Sequence, residues 1–396
     1  MKRVFLYILP ALMMFIGSCC KQEPMDKLIE RVMRHVEAQY IAMDANLTSD
    51  SLPRSYAEGK FIASDNEWWC SGFYPGALWY IYEYTGNEEV KALAHKNTRK
   101  LDGIYVTVDN HDLGFQLHCS YGNALRITGD ESYLDQWIPG AYKLAGRFSE
   151  KTGVIRSWDF IKPGFDWKYP VIVDNMMNLE YLTAVSKHVA DPKLTDIAVS
   201  HTEKTLQNHF QPDGTCYHLV DYDPEDGSIR QKQTVQGYSD TSMWARGEGW
   251  ALYGFTVMYR ETGDEDYLAQ AEKIAKLLLS ELPEDGVPYW DFDSPDIPND
   301  FRDSSAGSLM ASAFVELSTL TKDAQLSKDC LAMAEKQIRT LSTEEYLAPV
   351  GSNGNFLLKH AVGSRPEKHE LDVPLTYGDY YYVEALVRYA KLLKNI

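Results

Sequence analysis

Two short runs carry the residue types that acid–base chemistry needs: His111-Asp112-Leu113-Gly114-Phe115-Gln116 and Val173-Asp174-Asn175-Met176-Met177-Asn178-Leu179. Each sets a carboxylate at or near the start of a mostly apolar helical stretch. Two carboxylates brought into one pocket cannot both ionise easily, so one pKa rises and that group can donate a proton near neutral pH. Helix dipoles act the other way and favour the ionised form. An Asp at a helix start is also an ordinary N-cap, and either run alone reads as readily that way. With His111 beside Asp112, and Arg246 at a matching helix start, the pair is expected to form one acid/base centre suited to a sugar.

Rival chemistries lack their residues. The sequence has no GxSxG, HExxH or P-loop run. Gly247-Glu248-Gly249 lacks the third glycine and the preceding strand of a dinucleotide fold. The 10 His residues show no metal-ligand spacing, so neither a metal nor a cofactor is expected. Cys19 and Cys20 are followed by Cys70, Cys119, Cys216 and Cys330 with no CxxC pair, which argues against a zinc site or a disulfide scaffold. A formal charge of −18 repels nucleic acid, and an anionic substrate would need local cations to hold it. Aromatics reach 12%, with 26 Tyr and 9 Trp. They serve either as core filler or, beside the polar clusters, as stacking faces for sugar rings.

The elements that must position these groups are marked by repeated turns. Tyr84-Thr85-Gly86-Asn87, Ile127-Thr128-Gly129-Asp130 and Glu261-Thr262-Gly263-Asp264 are near-copies, and Ala190-Asp191-Pro192 and Thr321-Lys322-Asp323 occupy equivalent places. In each near-copy a glycine suits a helix C-cap and the next Asn or Asp suits an N-cap. Reading outward predicts inner helices at 73–84, 113–127, 174–188, 247–261, 304–320 and 378–393, apolar on most sides. Amphipathic outer helices fall at 26–43, 88–102, 131–148, 192–209, 265–281 and 324–341. Six inner and six outer helices make an all-α (α/α)6 toroid the natural closure, with an open solenoid as the alternative. Turn signals at Pro212-Asp213-Gly214 and Asp223-Pro224-Glu225-Asp226-Gly227 predict a short β-hairpin excursion near 210–245. If the inner helices are parallel, their N-termini share one mouth. Trp68-Trp69, His111-Asp112, Asp174-Asn175, Trp244-Ala245-Arg246, Asp303-Ser304-Ser305 and Tyr377-Gly378-Asp379 would then meet there.

The amino terminus reads as a targeting segment. Lys2-Arg3 precede an apolar run from Val4 to Ile16, and Ile16-Gly17-Ser18-Cys19 resembles a lipoprotein cleavage site. Residues 1–18 are expected to be removed, leaving a short linker at 19–24 and a catalytic domain at 25–396. Cys19 would then carry the lipid, so the chain would be exported and held to a membrane by that anchor alone. An ordinary signal peptide followed by an incidental cysteine is the alternative.

Beyond these single features, ordered stretches carry a specific resemblance. Trp69 to Gly76 (WCSGFYPG), HDLGF from His111, VDNMMNL from Val173, YHLVDYDPEDG from Tyr217, Gln236-Gly237-Tyr238-Ser239-Asp240, WARGEGWALYGF from Trp244, Asp303-Ser304-Ser305-Ala306 and Tyr377-Gly378-Asp379-Tyr380-Tyr381 follow one another. Together the chain resembles glycoside hydrolase family 88, the unsaturated glucuronyl hydrolases, over nearly all of its mature length. The resemblance implies an (α/α)6 barrel and a metal-free reaction on the unsaturated uronic acid that polysaccharide lyases leave at a non-reducing end. It places the acid/base group on Asp174 and the second essential aspartate on Asp112, after His111. Substrate contacts would fall to Trp69, His218, Gln236, Arg246 and Trp250. The chemistry implied is hydration of a vinyl ether: Asp174 protonates C4 and then takes a proton from water attacking C5, while Asp112 raises the pKa of Asp174. On charge, Arg246 is the residue expected to hold the uronate carboxylate. Glu248-Gly249 departs from the Gln-Ala or Gln-Gly often found in that family. The related family 105 acting on pectin fragments, and a catalytically silent glycan-binding lipoprotein, are the other readings.

Overall fold

The computed structural model describes residues 22–394. The expected signal peptide and Cys19 lie outside the described residues. Among the described residues, no helix is long and apolar enough to cross a membrane.

The repeated turns work as three linked devices. Gly86, Gly129 and Gly263 close their helices with φ of 68°, 69° and 74°, left-handed values that favour glycine. The preceding threonine turns its hydroxyl back to the carbonyl four residues earlier and accepts the amide two residues on. Thr85 joins Ile81 to Asn87, Thr128 joins Ala124 to Asp130, and Thr262 joins Met258 to Asp264. Asn87, Asp130 and Asp264 then cap the next helix through their side chains. Each T-G-[DN] run therefore ends one helix, reverses the chain and starts its partner.

The helices alternate as expected. The inner set is Phe73–Thr85, Gly114–Gly122 continuing as Asn123–Thr128, Val173–Asn178 continuing as Leu179–Val189, Ala245–Thr262, Ser304–Leu320 and Thr376–Lys394. The outer set is Met25–Asp44, Glu88–Arg99, Leu134–Ala145, Pro192–Asn208, Glu265–Glu281 and Ala324–Leu341. Burial separates them: Ser304 to Val315 is buried without a break, whereas Glu265–Glu281 buries one stripe from Tyr267 to Leu278. Each inner helix packs on the next, and Thr376–Lys394 returns to pack on Phe73–Thr85, so the ring is closed and the open solenoid is excluded. Met25–Asp44 completes the outer layer against both of those helices.

Three details differ from the sequence expectation. Gly114–Gly122 is wound as a π-helix, and Asp174 sits in a 3-10 turn at Val173–Asn178 instead of an α-helical first turn. The expected hairpin is present as Leu219–Tyr222 with Ile229–Gln233, but Pro170–Ile172 adds a third antiparallel strand to it. Further hairpins, Leu52–Ala57 with Lys60–Ser64 and Ala361–Ser364 with His369–Val373, stand elsewhere on the barrel.

Candidate active site

The inner N-termini do converge. Trp69, Asp112, Asp174, Arg246 and Tyr377, one from the start of each of five inner helices, line a cavity of about 290 Å³ together with His111 and Gln236. Asp303, at the start of the sixth, bonds Arg246 behind the cavity wall. Gly114 brings the two carboxylate-bearing segments together. A Cβ at that position would lie 2.4 Å from Asn178 Oδ1, and the same oxygen accepts the Phe115 amide at 3.1 Å. Only a glycine lets the two segments approach this closely.

Neither catalytic candidate acts as a cap. Asp174 Oδ2 is buried without a hydrogen-bond partner, and no helix-capping bond is made by either carboxylate. Their side chains keep 14% (Asp112) and 13% (Asp174) exposure. Burial pushes Asp174 up to about 7, against the lowering effect of the Arg246 charge, its own backbone amide and the Trp250 indole N–H. Burial, and then the charge of Asp174, pushes Asp112 up to about 8. Both carboxyls of this buried pair are thus held above the usual carboxylate range, so the pair retains a proton near neutrality. Asp174 titrates close to neutrality, where one group can both donate and accept a proton.

The two histidines beside the pair are neutral donors or acceptors, not cations. Burial lowers His111 to about 3, and its Nε2 lies 3.4 Å from Asp112 Oδ1. Burial likewise lowers His218 well below the ordinary histidine range. His218 Nδ1 accepts the Val235 amide at 3.0 Å, which fixes the proton on Nε2. That Nε2 has no partner and lies 3.9 Å from Asp174 Oδ2. The buried Trp250 indole nitrogen is near enough to lower the same carboxyl but makes no well-formed hydrogen bond. Unpartnered donors beside an unpartnered acceptor describe a centre built to take a ligand.

Arg246 is placed at the site, but its guanidinium is already committed. One terminal nitrogen donates to Asp303 at 3.1 Å and to the Val362 carbonyl at 2.5 Å; the other donates to Gln236 at 3.2 Å and to the Gly363 carbonyl at 2.6 Å. It lies over the Trp244 and Tyr377 rings. Arg246 therefore ties the Ala361–Ser364 strand to the barrel and gives the cavity a fixed positive charge. The cap reading holds for Asp303, whose other oxygen accepts the Ser305 and Ala306 amides. Asp379 is structural as well: it accepts the Leu357 and Leu358 amides and the Tyr40 hydroxyl away from the cavity.

Sequence reading missed two walls. Trp158, Phe160 and Lys162 come from the segment after Val154–Ile155, and Ser364, Glu367 and His369 come from the last hairpin. Lys162 and Glu367 bridge these walls at 2.6 Å. The Ser157-Trp158-Asp159-Phe160 aromatic cluster was the available signal for the first wall. An Arg365-Pro366-Glu367-Lys368 turn between alternating residues was the signal for the second.

Trp69 and Tyr377, which line the cavity, belong with Phe73, Phe115, Trp250 and Tyr381 to an aromatic cluster packed ring to ring, centroids 5.0–6.1 Å apart. A second cavity of about 280 Å³, lined by His118, Glu180, Glu384 and Arg388, lies further along the inner helices. Its charges are paired: Glu180 and Glu316 with Arg260, and Glu384 with Arg388, Tyr80, Tyr253 and Ser312. That cavity presents a closed ion network where the first presents open valences.

Comparison with known proteins agrees with this geometry. The Glycosyl Hydrolase Family 88 model matches residues 45–392. An unsaturated glucuronyl hydrolase of Formosa agariphila is 37% identical, covering 99% of this chain and 100% of its own. An unsaturated chondroitin disaccharide hydrolase of Streptococcus pneumoniae is 32% identical, with 93% of each chain covered. A crystal structure of an unsaturated glucuronyl hydrolase specific for heparin superposes with a TM-score of 0.90 at 42% identity, covering 93% of this chain and 98% of that one.

Proposed function

Since the chain belongs to Glycosyl Hydrolase Family 88, we propose that it removes a Δ4,5-unsaturated glucuronyl residue from the non-reducing end of lyase-generated glycosaminoglycan oligosaccharides. The observation that carries this reading is Asp174: a cavity-lining acid raised by burial to about 7, with one oxygen unpartnered and the His218 Nε2 donor 3.9 Å away. The unsaturated ring stacks on Trp69, and the fixed charge of Arg246 favours a carboxylate in a chain that is otherwise strongly acidic.

Asp174 delivers its proton to C4 of the ring double bond, and the positive character that develops at C5 is met by water. The same carboxylate takes the water's proton, and the resulting hemiketal opens to release the next sugar. One carboxyl group thus serves as acid and base, so the carboxylate spacing of ordinary retaining or inverting enzymes does not apply. Asp112, protonated up to about 8, acts as a neutral hydrogen-bond donor beside it. The test is a pair of disaccharides of identical linkage, one unsaturated and one saturated, in heavy-oxygen water. Only the unsaturated one is cleaved, with loss of its conjugated ultraviolet absorbance, and the label enters at C5. Efficient cleavage of the saturated sugar, or label at C1 alone, overturns hydration.

The leader supports a second part of the proposal, that Cys19 carries a lipid which holds the exported domain to a membrane. Cys19→Ala is expected to free the mature protein from the membrane fraction, or leave it unprocessed, with the activity of the domain unaltered. A processed Cys19→Ala protein that still sediments with membranes ends that part.

A further inference from the structure

Glu248 takes no part in the chemistry above, yet it is a carboxyl group with 0% exposure, between Arg246 and Trp250 on the Ala245–Thr262 helix. Its Oε1 accepts the Cys216 amide at 2.7 Å, and its Oε2 is buried with no partner. The charged groups that act on it are acids: Asp213 from the segment leading to Cys216, and Asp291 and Asp293 from the segment that bridges to Trp244. The Cys216 thiol is a further titratable neighbour, itself raised by burial and by Glu248 and Asp174, with Lys232 acting the other way. Arg246, on the same helix, is turned away to Asp303.

What Glu248 holds leads directly to the site. Cys216 is followed by Tyr217, whose amide donates to the His209 carbonyl at 2.7 Å, and then by His218. The His218 carbonyl accepts the Val173 amide at 2.9 Å, immediately before Asp174, and its ring sits 3.9 Å from the Asp174 carboxyl. A run of three residues is thus pinned at one end by Glu248, and at the other it sets both the His218 donor and the backbone that carries the acid.

We propose that Glu248 is a positioning residue for the reaction: through Cys216 it fixes His218 against Asp174, and it does so as a neutral carboxylic acid. A carboxylate there would be a fully buried charge with no cation bonded to it and with acids acting on it, and the segment would yield to relieve it. Burial first, and then Asp213, Asp291 and Asp293, push the Glu248 carboxyl up to about 8, although the Cys216 amide lowers it. A folded pKa raised above the unfolded value favours the fold at low pH. That advantage fades as pH rises from about 4 and is gone above about 8.

The proposal rests on the hydrolase reading, and its test has one arm that needs no substrate. Glu248→Gln keeps the acceptor for Cys216 and cannot ionise; Glu248→Ala removes the acceptor. In melting curves, Glu248→Gln is expected to match the wild type near pH 4 and to exceed it increasingly towards about pH 9. On an unsaturated disaccharide near pH 6, Glu248→Gln keeps kcat within about twofold, while Glu248→Ala loses at least about tenfold in kcat with KM little changed. The Glu248→Gln to wild-type ratio of kcat rises above about pH 8, where the titration of Asp174 is common to both and cancels. Full kcat in Glu248→Ala, or a ratio that stays flat with pH, overturns the proposal. If Glu248→Ala does not fold, the Glu248→Gln ratio and melting curves decide alone. A wild type without turnover on any unsaturated disaccharide would sink the hydrolase reading, while the melting comparison still reports on Glu248.

Discussion

Replacing Asp174 by Asn should cost activity and raise stability at once. The amide is nearly isosteric, so it fits the same turn, but it neither donates a proton to C4 nor accepts one from water. General acid–base help is worth roughly 10²–10⁴, and turnover should fall by at least that factor. The stability effect follows from burial. Asp174 titrates at about 7 in the fold, against about 3.9 in an unfolded chain. The wild-type fold therefore loses stability as pH rises from about 4 to about 7 and holds the deficit above that. At 1.36 kcal/mol per pKa unit the deficit approaches roughly 4 kcal/mol, a ceiling because the side chain keeps 13% exposure to screening solvent. Asn carries no such term. Melting curves of the two proteins should coincide near pH 4 and separate by several degrees at about pH 8, with the variant higher. Loss of conjugated ultraviolet absorbance, followed on the same samples, reports turnover. A folded Asp174→Asn protein with near-normal turnover, or one that melts below the wild type at high pH, refutes the reasoning.

Two further substitutions probe the scaffold around this acid. Arg246→Ala leaves Asp303 buried without its cation and frees the Val362 and Gly363 carbonyls, so denaturant unfolding should show a loss of about 3–5 kcal/mol. Because the Arg246 charge lowers Asp174, the alkaline limb of kcat/KM in whatever folds should move above about 7. Gly114→Ala drives a methyl group into Asn178 and pushes apart the segments that carry Asp112 and Asp174. Its kcat should fall by at least about tenfold while the far-ultraviolet spectrum is kept, and an unchanged kcat would show that this contact does not set the pair.

The helices were legible because their ends are local chemistry. A threonine, a glycine and an Asn or Asp in sequence specify a C-cap, a reversal and an N-cap with no help from the rest of the fold. The convergence of Asp112, Asp174 and Arg246 followed from the parallel order of the inner helices. What was not legible is set by contacts between distant residues. Nothing in Gly114-Phe115-Gln116-Leu117 announces a π-helix; the segment is packed on Phe73–Thr85, Leu134–Ala145 and Val173–Asn178, none of them adjacent to it in sequence. Arg246 read as an available cation because its partners at Val362 and Gly363 are backbone carbonyls, which no side-chain pattern reveals. The Trp158 and Glu367 walls were lost for a related reason. They lie in excursions whose aim is fixed only by the barrel beneath them.

The ring has a seam, and it joins the two ends of the chain. The Tyr40 hydroxyl meets Asp379 across 339 residues, and His35 reaches the Ala348 carbonyl across 313. Tyr377, which lines the cavity, belongs to the helix that closes the seam. Loop-closure entropy grows only with the logarithm of length, each doubling adding about 0.6 kcal/mol, so so distant a joint is tolerable thermodynamically. Its toll is on time, since contacts this far apart in sequence form late. A chain folded only as far as the fifth inner helix would hold both aspartates and yet have no closed cavity, because Tyr377 of the wall comes from Thr376–Lys394. Catalytic competence would arrive in a single step, when residues 376–394 dock against the first inner helix.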